Sequence, residues 1–403
     1  MCIRDRVYAL AIDSSNNQLY VGGNFGTVQD TTNTVALSAK YVARWDISNN
    51  VWRQLGNTVY NGTNTNVYAL ALDSSNNQLY VGGGFTTVQD ISNTVALSAN
   101  YVARWDISNN VWKQLVNGVS SNVYTFTFNR LTNQLYLGGS FTSVYSQIIN
   151  ANRIARWDIA NNVWARLGNY LYNGTNSVVK ALALDSSNNR LYVGGNFTLV
   201  QDTTNTVALS AKCVARWDIS NNVWRQFGNT AYNGTSAAVQ ALALDSSNNQ
   251  LYVGGQFTTV QDISNTVALS AKYVARWDIS NNVWRQLGNT AYNGTNNQVY
   301  ALAIDSSNNQ LYVGGNFGTV QDISNTVALS ANCVARWDIS NNVWRQFGNT
   351  AYNGTNNIVN ALALDSSNNQ LYVGGAFITV QDTKNTVALS AKQIARWDIS
   401  NNV

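Results

Sequence analysis

The stretch Val239–Leu287 reads VQALALDSSNNQLYVGGQFTTVQDISNTVALSAKYVARWDISNNVWRQL, and it decides the fold. Val239–Leu244 is a short apolar run that ends at a turn of Asp, Ser and Asn, whose side chains bond nearby backbone groups. Leu251–Phe257, Tyr273–Ile279 and Val283–Leu287 are three more strand-like runs. Because no segment has helical periodicity, the stretch predicts four β-strands, which we call A to D.

The same pattern recurs along the chain with a period close to 60 residues. Strand B ends in a Gly pair, and successive pairs are spaced by 60, 56, 56, 60, 60 and 60 residues. Each such repeat is one unit that buries its apolar surface only against a neighbouring unit. The pairs are Gly22-Gly23, Gly82-Gly83, Gly138-Gly139, Gly194-Gly195, Gly254-Gly255, Gly314-Gly315 and Gly374-Gly375.

Seven units of this kind predict an all-β fold, a seven-bladed β-propeller whose four-stranded antiparallel blades close into one ring. The Gly pair indicates a bulge or a close backbone approach, and the apolar strand A is expected to be innermost. The predicted blades are residues 7–66, 67–122, 123–178, 179–238, 239–298, 299–358 and 359–403, the last without its fourth strand. An elongated β-solenoid is the alternative, but solenoid coils are usually much shorter.

The two ends of the chain depart from the repeat. Residues 1–6 read MCIRDR and match no part of it, which indicates a junction or tag-like segment outside the fold. The chain stops at Val403, where six other units continue into a Trp-containing strand. We therefore expect a piece of a longer protein, in which a signal peptide would not be visible.

The composition argues against most familiar catalytic sites. The chain has no His, and all 20 acidic residues are Asp. Without His, the usual general base, the Ser-His-Asp and Cys-His arrangements and most zinc and copper sites are missing. We therefore predict that the protein is not an enzyme and that it has no cofactor and no metal. An enzyme that acts on glycans through Asp alone is the minor alternative.

Charge and hydropathy limit the partners. The net charge is +4, and the basic residues recur along the repeats instead of forming the Lys/Arg stripe of a nucleic-acid binder. No apolar stretch approaches the roughly 20 residues of a membrane-spanning helix. We predict neither nucleic-acid binding nor a membrane span, and the oligomeric state stays open.

The motifs LYVGG, ARWD and VW followed by Leu or Phe resemble the blades of kelch and galactose-oxidase-type propellers. The fuller pattern, with LYVGGxF, ARWD and WxxLG, is more similar to repeats of surface-associated multi-repeat proteins, including the fungal cortical-polarity-marker type. This similarity covers Val7 to Val403 and implies a display scaffold, at the cell surface or outside the cell, rather than a reaction. Galactose-oxidase chemistry needs copper-ligating His, which this chain lacks.

Cys213 and Cys333 occupy the same repeat position two units apart. A ring would place a whole blade between them, whereas a disulfide needs Cα atoms within about 7 Å. We therefore predict that both are free and buried on third strands, while Cys2 lies outside the repeat. The other units carry Tyr41, Tyr101, Arg153, Tyr273 and Gln393 at this position.

The Arg and Asp of ARWD occur in all seven units, for example as Arg44 with Asp46 and Arg276 with Asp278. Two residues apart on a strand, they share one face. Seven identical copies favour a structural Arg–Asp pair, and a ring of anion sites is the functional alternative.

Three further polar motifs have both a structural and a functional interpretation. The Asp that opens each DSSNN turn is interpreted as a turn cap rather than a calcium ligand. The Asp of each Gln-Asp pair is expected to be solvated, although these carboxylates are well placed for a ligand: Asp30, Asp90, Asp202, Asp262, Asp322 and Asp382. The glycosylation sequons are interpreted as turns, and glycan attachment is the alternative. Their asparagines are Asn61, Asn173, Asn196, Asn233, Asn293 and Asn353.

Unequal loop lengths predict the binding surface. The A–B and C–D turns are short, whereas the B–C and D–A loops are long and emerge together on the opposite face, the B–C/D–A face. Kelch-type relatives often use that face. In the third unit both long loops are four residues shorter, which predicts a notch. Its expected lining is Tyr145, Gln147, Ile148, Ile149, Asn150, Asn152 and Arg153, and drift in a redundant repeat is the alternative explanation.

These observations favour a non-catalytic binding or display propeller that contacts protein or glycan through its B–C/D–A face. A structural spacer array without a specific ligand is the alternative. The Asp-only enzyme is the third hypothesis.

Overall fold

The computed structural model describes residues 5–30, 35–92, 94–144, 149–204, 207–384 and 387–403. In these residues the regular structure is β-sheet, apart from one 3-10 turn at Ser74–Asn76. None of the described segments forms a helix that is long and apolar enough to cross a membrane.

Six repeats form four-stranded antiparallel sheets in the order A-B-C-D, and the last forms a three-stranded sheet A-B-C. In blades 1 to 3 the strands are Arg6–Asp13, Gln18–Asn24, Val42–Asp46, Val51–Gln54; Val67–Asp73, Gln78–Gly83, Val102–Asp106, Val111–Gln114; and Val123–Asn129, Gln134–Gly139, Ile154–Asp158, Val163–Arg166. In blades 4 to 7 they are Val179–Asp185, Arg190–Gly195, Val214–Asp218, Val223–Gln226; Val239–Asp245, Gln250–Gly255, Val274–Asp278, Val283–Gln286; Val299–Asp305, Gln310–Gly315, Val334–Asp338, Val343–Gln346; and Val359–Asp365, Gln370–Gly375, Ile394–Asp398.

Each B–C loop also forms a short hairpin of its own, with two residues in each strand. The hairpins pair Thr27–Val28 with Leu37–Ser38, Thr87–Val88 with Leu97–Ser98, Ser143–Val144 with Ile149–Asn150, Leu199–Val200 with Leu209–Ser210, Thr259–Val260 with Leu269–Ser270, Thr319–Val320 with Leu329–Ser330, and Thr379–Val380 with Leu389–Ser390. In the described residues, the long B–C loop therefore contains a short hairpin.

The predicted fold class is confirmed: the chain is an all-β, seven-bladed β-propeller whose last blade has three strands. It divides into two compact units, Met1–Tyr170 with blades 1 to 3 and Leu171–Val403 with blades 4 to 7. Strand A of blade 1 begins at Arg6, one residue before the predicted blade boundary. Closure of the seven blades into one ring stays a prediction.

The first Gly of the pair at the end of strand B lies against strand A of the next blade, and the second lies against the start of strand A in its own blade. A Cβ atom on Gly254 would lie 2.5 Å from Cγ1 of Val299 in blade 6. One on Gly255 would lie 2.2 Å from the carbonyl oxygen of Ala238. Both distances are far inside van der Waals contact, and strand A has a register shift opposite the pair. The predicted bulge and close approach are both confirmed.

The hydrophobic core lies between the sheets of neighbouring blades. Between blades 4 and 5, the ring of Phe227 packs 4.7 Å from Trp277 and 5.8 Å from Trp284, centroid to centroid. Trp277 and Trp284 lie on adjacent strands C and D and pack edge to face at 5.2 Å. Aromatic pairs of this kind stabilise a fold by about 0.5–1.5 kcal/mol beyond their buried area. The Trp of ARWD is thus a core residue.

The DSSNN motif forms the capped turn that its sequence predicts. The Asp245 carboxylate accepts hydrogen bonds from Ser247 Oγ at 2.7 Å and from Asn248 Nδ2 at 2.8 Å. Asn249 closes the turn in the left-handed region, with φ of 51°. The turn interpretation is therefore confirmed. In the described part of the chain, no three Cys or Asp side chains are grouped as metal ligands would be.

Five of the six Gln-Asp carboxylates are buried and that of Asp30 is half-buried, so the prediction that they are solvated is wrong for the five. Asp262 is 0% exposed, and its Oδ2 accepts the backbone N–H of Trp284 on strand D at 2.6 Å. Its Oδ1 accepts the N–H groups of Ser264 and Asn265. Strand D lies at the edge of its sheet, so no further strand accepts its outward-facing N–H groups. The Asp262 carboxylate accepts the N–H of Trp284 in place of such a strand. Equivalent bonds are made by Asp30, Asp90, Asp202 and Asp322.

The two repeat cysteines are free, as predicted, but they stand just before strand C rather than on it. Cys213 is buried, whereas Cys333 is half-buried, so the prediction of burial holds fully for Cys213 alone. Both residues have a positive φ, 63° for Cys213 and 61° for Cys333. This left-handed conformation lies between the end of the B–C loop and the start of strand C. Cys2 lies outside the described residues.

We expect Asp262→Asn to lower the free energy of unfolding of its blade by about 1–3 kcal/mol, because an amide cannot accept all the N–H donors around the carboxylate. The measurement is hydrogen exchange of the strand D amides, Trp284 above all. Asp278→Asn, in a more exposed turn, is the matched control and should change exchange much less. Equal effects of the two variants would contradict the anchoring role.

We expect the alkylation rate of the thiols in the folded chain to keep rising with pH after the rate in the unfolded chain has reached its plateau. Burial raises the pKa of the Cys213 and Cys333 thiols, and the thiolate is the reacting form. The folded chain therefore needs a higher pH to reach the same thiolate fraction. The rates are measured by mass spectrometry of the two peptides with and without denaturant, and identical pH profiles in both states would contradict the prediction.

Candidate functional site

The D–A loops hold the B–C/D–A face together. The loop between blades 5 and 6 carries Thr295, which forms a β-bridge with Val320 in the B–C hairpin of blade 6. The N–H of Thr295 donates to the carbonyl of Lys272 in blade 5 at 3.2 Å. One D–A loop is therefore bonded to the B–C loops of both blades that it joins. The predicted binding face is a connected hydrogen-bonded surface.

The Asn of each Asn-Gly-Thr sequence clamps this face from inside. Asn293 is 1% exposed, and its Nδ2 donates to the carbonyl of Asn289 at 2.7 Å. Its Oδ1 accepts the N–H of Lys272 at 2.9 Å. The amide nitrogen that a glycan would occupy is buried and bonded, so the turn interpretation is confirmed here. Asn196 differs, because it is exposed.

One position on the face has a constant backbone and a changing side chain, and we call it the variable position. In blade 5 it is Tyr273, whose N–H donates to the Phe257 carbonyl at 2.8 Å and whose carbonyl accepts from Gly255 at 2.9 Å. The same two bonds and a φ of 61–66° recur in every blade. Its occupants in chain order are Tyr41, Tyr101, Arg153, Cys213, Tyr273, Cys333 and Gln393.

The backbone at the variable position is held in a conformation that its residues do not favour. A non-Gly residue in the left-handed region costs about 1–3 kcal/mol, and such residues concentrate at functional sites. None of the seven occupants is Gly. Cys213 is buried and the other six are half-buried, and the Tyr residues and Cys333 also pack with part of their side chains against the core between blades. The fold therefore presents different side chains from one rigid frame, next to the long loops.

Three of the residues predicted to line a notch in the shortened third unit are accessible to solvent, and the notch itself stays a prediction. Asn150 is exposed, and Asn152 and Arg153 are half-buried, with Arg153 at the variable position. Ile149 pairs with Val144 in the loop hairpin and packs against the core between blades 2 and 3. It is therefore a packing residue. Of the remaining predicted lining residues, Tyr145, Gln147 and Ile148 lie outside the described residues.

The Arg and Asp of ARWD do not pair with each other in the described chain, and the predicted Arg–Asp pairing is not found. Asp278 instead caps the C–D turn by accepting the N–H of Asn281 at 3.0 Å and its Nδ2 at 2.9 Å. Burial opposes ionisation of Asp278, but these bonds outweigh it and lower its pKa. Arg276 lies opposite Tyr252 on strand B. Arg276 and Asp278 therefore lie on the same face of strand C, but Asp278 bonds Asn281 while Arg276 lies opposite Tyr252.

The two ion pairs found involve other arginines: Arg53 with Asp46 at 3.6 Å, and Arg345 with Asp338 at 3.5 Å. Both arginine side chains are half exposed to solvent, which limits the stabilisation that each pair provides. Burial raises the pKa of Tyr252 to about 12, although the nearby Arg276 charge acts in the opposite direction. The phenol is therefore neutral at physiological pH. A structural role for the ARWD residues stays a prediction.

A polar cavity of about 440 Å³ opens on the B–C/D–A face between blades 6 and 7. It brings together the D–A loops and B–C loops of these blades, and it includes the variable position of blade 6. No Asp, Lys or Arg is among its lining residues in the described chain. Seven carboxamides and one thiol are among its lining residues: Asn296, Asn297, Asn316, Asn332, Asn353, Asn356, Gln381 and Cys333.

The sequence motifs alone do not reveal this cavity, because its residues come from four separate loops. One signal was present, since Cys333 replaces the Tyr found in three other units. That change suggested a free thiol from the sequence. The structure places the same residue in the wall of an open site.

Comparison with known proteins agrees with the propeller architecture. Residues 274–389 match the family model of the Rax2 C-terminal beta propeller domain. The chain is also similar to the "Polarized growth protein RAX2" of Candida albicans (strain SC5314 / ATCC MYA-2876), with 24% identity over 327 residues. That similarity covers 75% of this chain but 21% of the relative, so the chain spans about a fifth of that protein's length.

Proposed function

We propose that this chain is a non-catalytic binding propeller that contacts a protein or glycan partner through its B–C/D–A face. The variable position is the observation that carries the proposal. Near-identical repeats place Tyr, Arg, Cys or Gln in one unfavourable backbone conformation, while the surrounding hydrogen bonds stay constant. Rigid frames with changing surface side chains are typical of recognition surfaces.

The similarity to a polarized growth protein supports a display role at the cell surface. A propeller of this kind would act there as a landmark that holds a partner in place. Because the chain spans about a fifth of that relative, a role in polarized growth is a proposal for the longer protein.

The spacer alternative explains the repeated core but gives no reason for the variable position. The Asp-only enzyme has little support, because the repeated carboxylates already accept structural hydrogen bonds. Asp262 binds backbone N–H groups of its loop and of strand D, and Asp245 and Asp278 cap turns. Carboxylates committed in this way are poor acid–base groups.

We expect a charge on the B–C/D–A face of blade 3 to disrupt partner binding, because the notch residues are proposed to form part of the contact. Asn150→Lys should reduce affinity by about tenfold or more. Binding is measured against a glycan array and against cell-surface proteins captured by cross-linking. The matched control is Ala160→Lys in the exposed C–D turn of the same blade, which should bind normally. Equal binding by both variants would place the contact elsewhere.

A further inference from the structure

We propose that the Asn-lined cavity between blades 6 and 7 binds a neutral saccharide. This inference rests on the proposed function, because it names a ligand class and a site on the same B–C/D–A face. The volume of about 440 Å³ lies within the range of about 300–1,000 Å³ that is usual for small-molecule sites.

The sixth unit has a combination of residues at two positions in the cavity wall that the other units do not have. Blade 5 has Lys272 and Tyr273 before strand C, whereas blade 6 has Asn332 and Cys333. The backbone is the same in both blades, with φ of 64° at Tyr273 and 61° at Cys333. The substitution therefore removes a positive charge and a large ring without changing the frame. The described sequence combines these two small, uncharged residues in this unit alone.

Two Asn side chains in the cavity lack a hydroxyl acceptor that their counterparts in blades 2 and 4 have, because blades 6 and 7 carry other residues in place of a Thr. In blades 2 and 4, the D–A loop Asn donates its Nδ2 to a Thr hydroxyl: Asn64 to Thr86 at 3.0 Å and Asn176 to Thr198 at 3.1 Å. The equivalent asparagines are Asn296 and Asn356.

Asn296 and Asn356 face residues that have no hydroxyl, Gly318 and Ile378. Their Oδ1 atoms still accept the N–H groups of the B–C loop, at 2.9 Å from Gly318 and from Ile378. No intramolecular acceptor for either Nδ2 is found in the part of the chain described. Each side chain is thus held in place by its oxygen while its N–H₂ group is available to a ligand.

The chemistry of the lining selects the ligand class. Carboxamides both donate and accept hydrogen bonds, and sugar hydroxyl groups do the same. The lining has no charged residue that would favour a phosphate, a carboxylate or an amine. Its aromatic residue, Phe317, is buried at 3% exposure, so the cavity offers little surface to a hydrophobic ligand. A neutral hexose or N-acetylhexosamine fits this set of groups.

The first test uses the Cys333 thiol as a reporter inside the cavity. The intact chain is alkylated with iodoacetamide in the presence of glucose, mannose, galactose or N-acetylglucosamine, as methyl glycosides and short oligomers, with glucuronic acid for comparison. At about ten times Kd, a bound sugar should slow alkylation of Cys333 about tenfold, because only the free site reacts. Cys213, outside the cavity, is the internal control and should react at an unchanged rate.

The second test removes the site with residues that the chain already uses elsewhere. Gly318→Thr with Ile378→Thr restores the Thr acceptors of blades 2 and 4, and a Cβ on Gly318 meets no atom within 4 Å. We expect saccharide affinity to fall about tenfold, or about 1.4 kcal/mol. Asn332→Lys with Cys333→Tyr reproduces blade 5 and should abolish binding. Unchanged thermal unfolding of both double variants controls for folding.

The outcomes separate this inference from the proposed function. Two results together support the site: protection of Cys333 by a neutral saccharide that falls from about tenfold to about twofold in Gly318→Thr with Ile378→Thr, and loss of saccharide binding, measured by calorimetry, in Asn332→Lys with Cys333→Tyr. Protection by no neutral saccharide overturns the inference, as does saccharide binding that both double variants keep. If Asn150→Lys still reduces partner affinity by about tenfold or more in that case, the proposed face is kept and the saccharide site alone is rejected. If Asn150→Lys and both double variants all bind their partner normally, the proposed face is rejected as well.

Discussion

Within each of the two compact units, the contact between the first Gly of the pair in one blade and strand A of the next blade is the constraint on which the packing depends. The distance of 2.5 Å from a hypothetical Gly254 Cβ to Val299 leaves no room for any side chain there. This backbone approach sets the distance between sheets, and the aromatic packing of Phe227 with Trp277 fills the space that it defines. The D–A loops then bond to both blades because they span the same fixed gap.

Most of the blade could be predicted from the sequence because its signals are local. The short apolar runs, the Gly pair and the DSSNN turn each act within a few residues, and seven repetitions remove the ambiguity of any one of them. The burial of Asp262 could not be predicted in this way. Its partner is the N–H of Trp284, 22 residues away on an edge strand, and polar loop composition suggests solvent until that strand is in place.

The positions of the loop residues could be predicted from the sequence, whereas their contacts could not, and binding through the B–C/D–A face stays a proposal. Loop lengths indicated the B–C/D–A face, and Asn150, Asn152 and Arg153 do lie there, whereas Ile149 belongs to the core because the loop hairpin turns it inward. The ARWD residues share a face, as strand geometry requires, yet Asp278 bonds Asn281 rather than Arg276. Pairing on one face depends on side-chain reach, which residue spacing does not specify.

Near-identity of the blade-to-blade contacts has a consequence for folding. A blade that docks on the wrong neighbour buries almost the same surface as one that docks correctly, so the contact itself offers little discrimination between partners. The covalent connection between blades must provide this discrimination. A D–A loop of roughly ten residues holds each blade close to its neighbour in sequence, which also keeps the contact order low. At high protein concentration the same degeneracy allows blades to exchange between molecules, and soluble expression then depends on the speed of docking between adjacent blades.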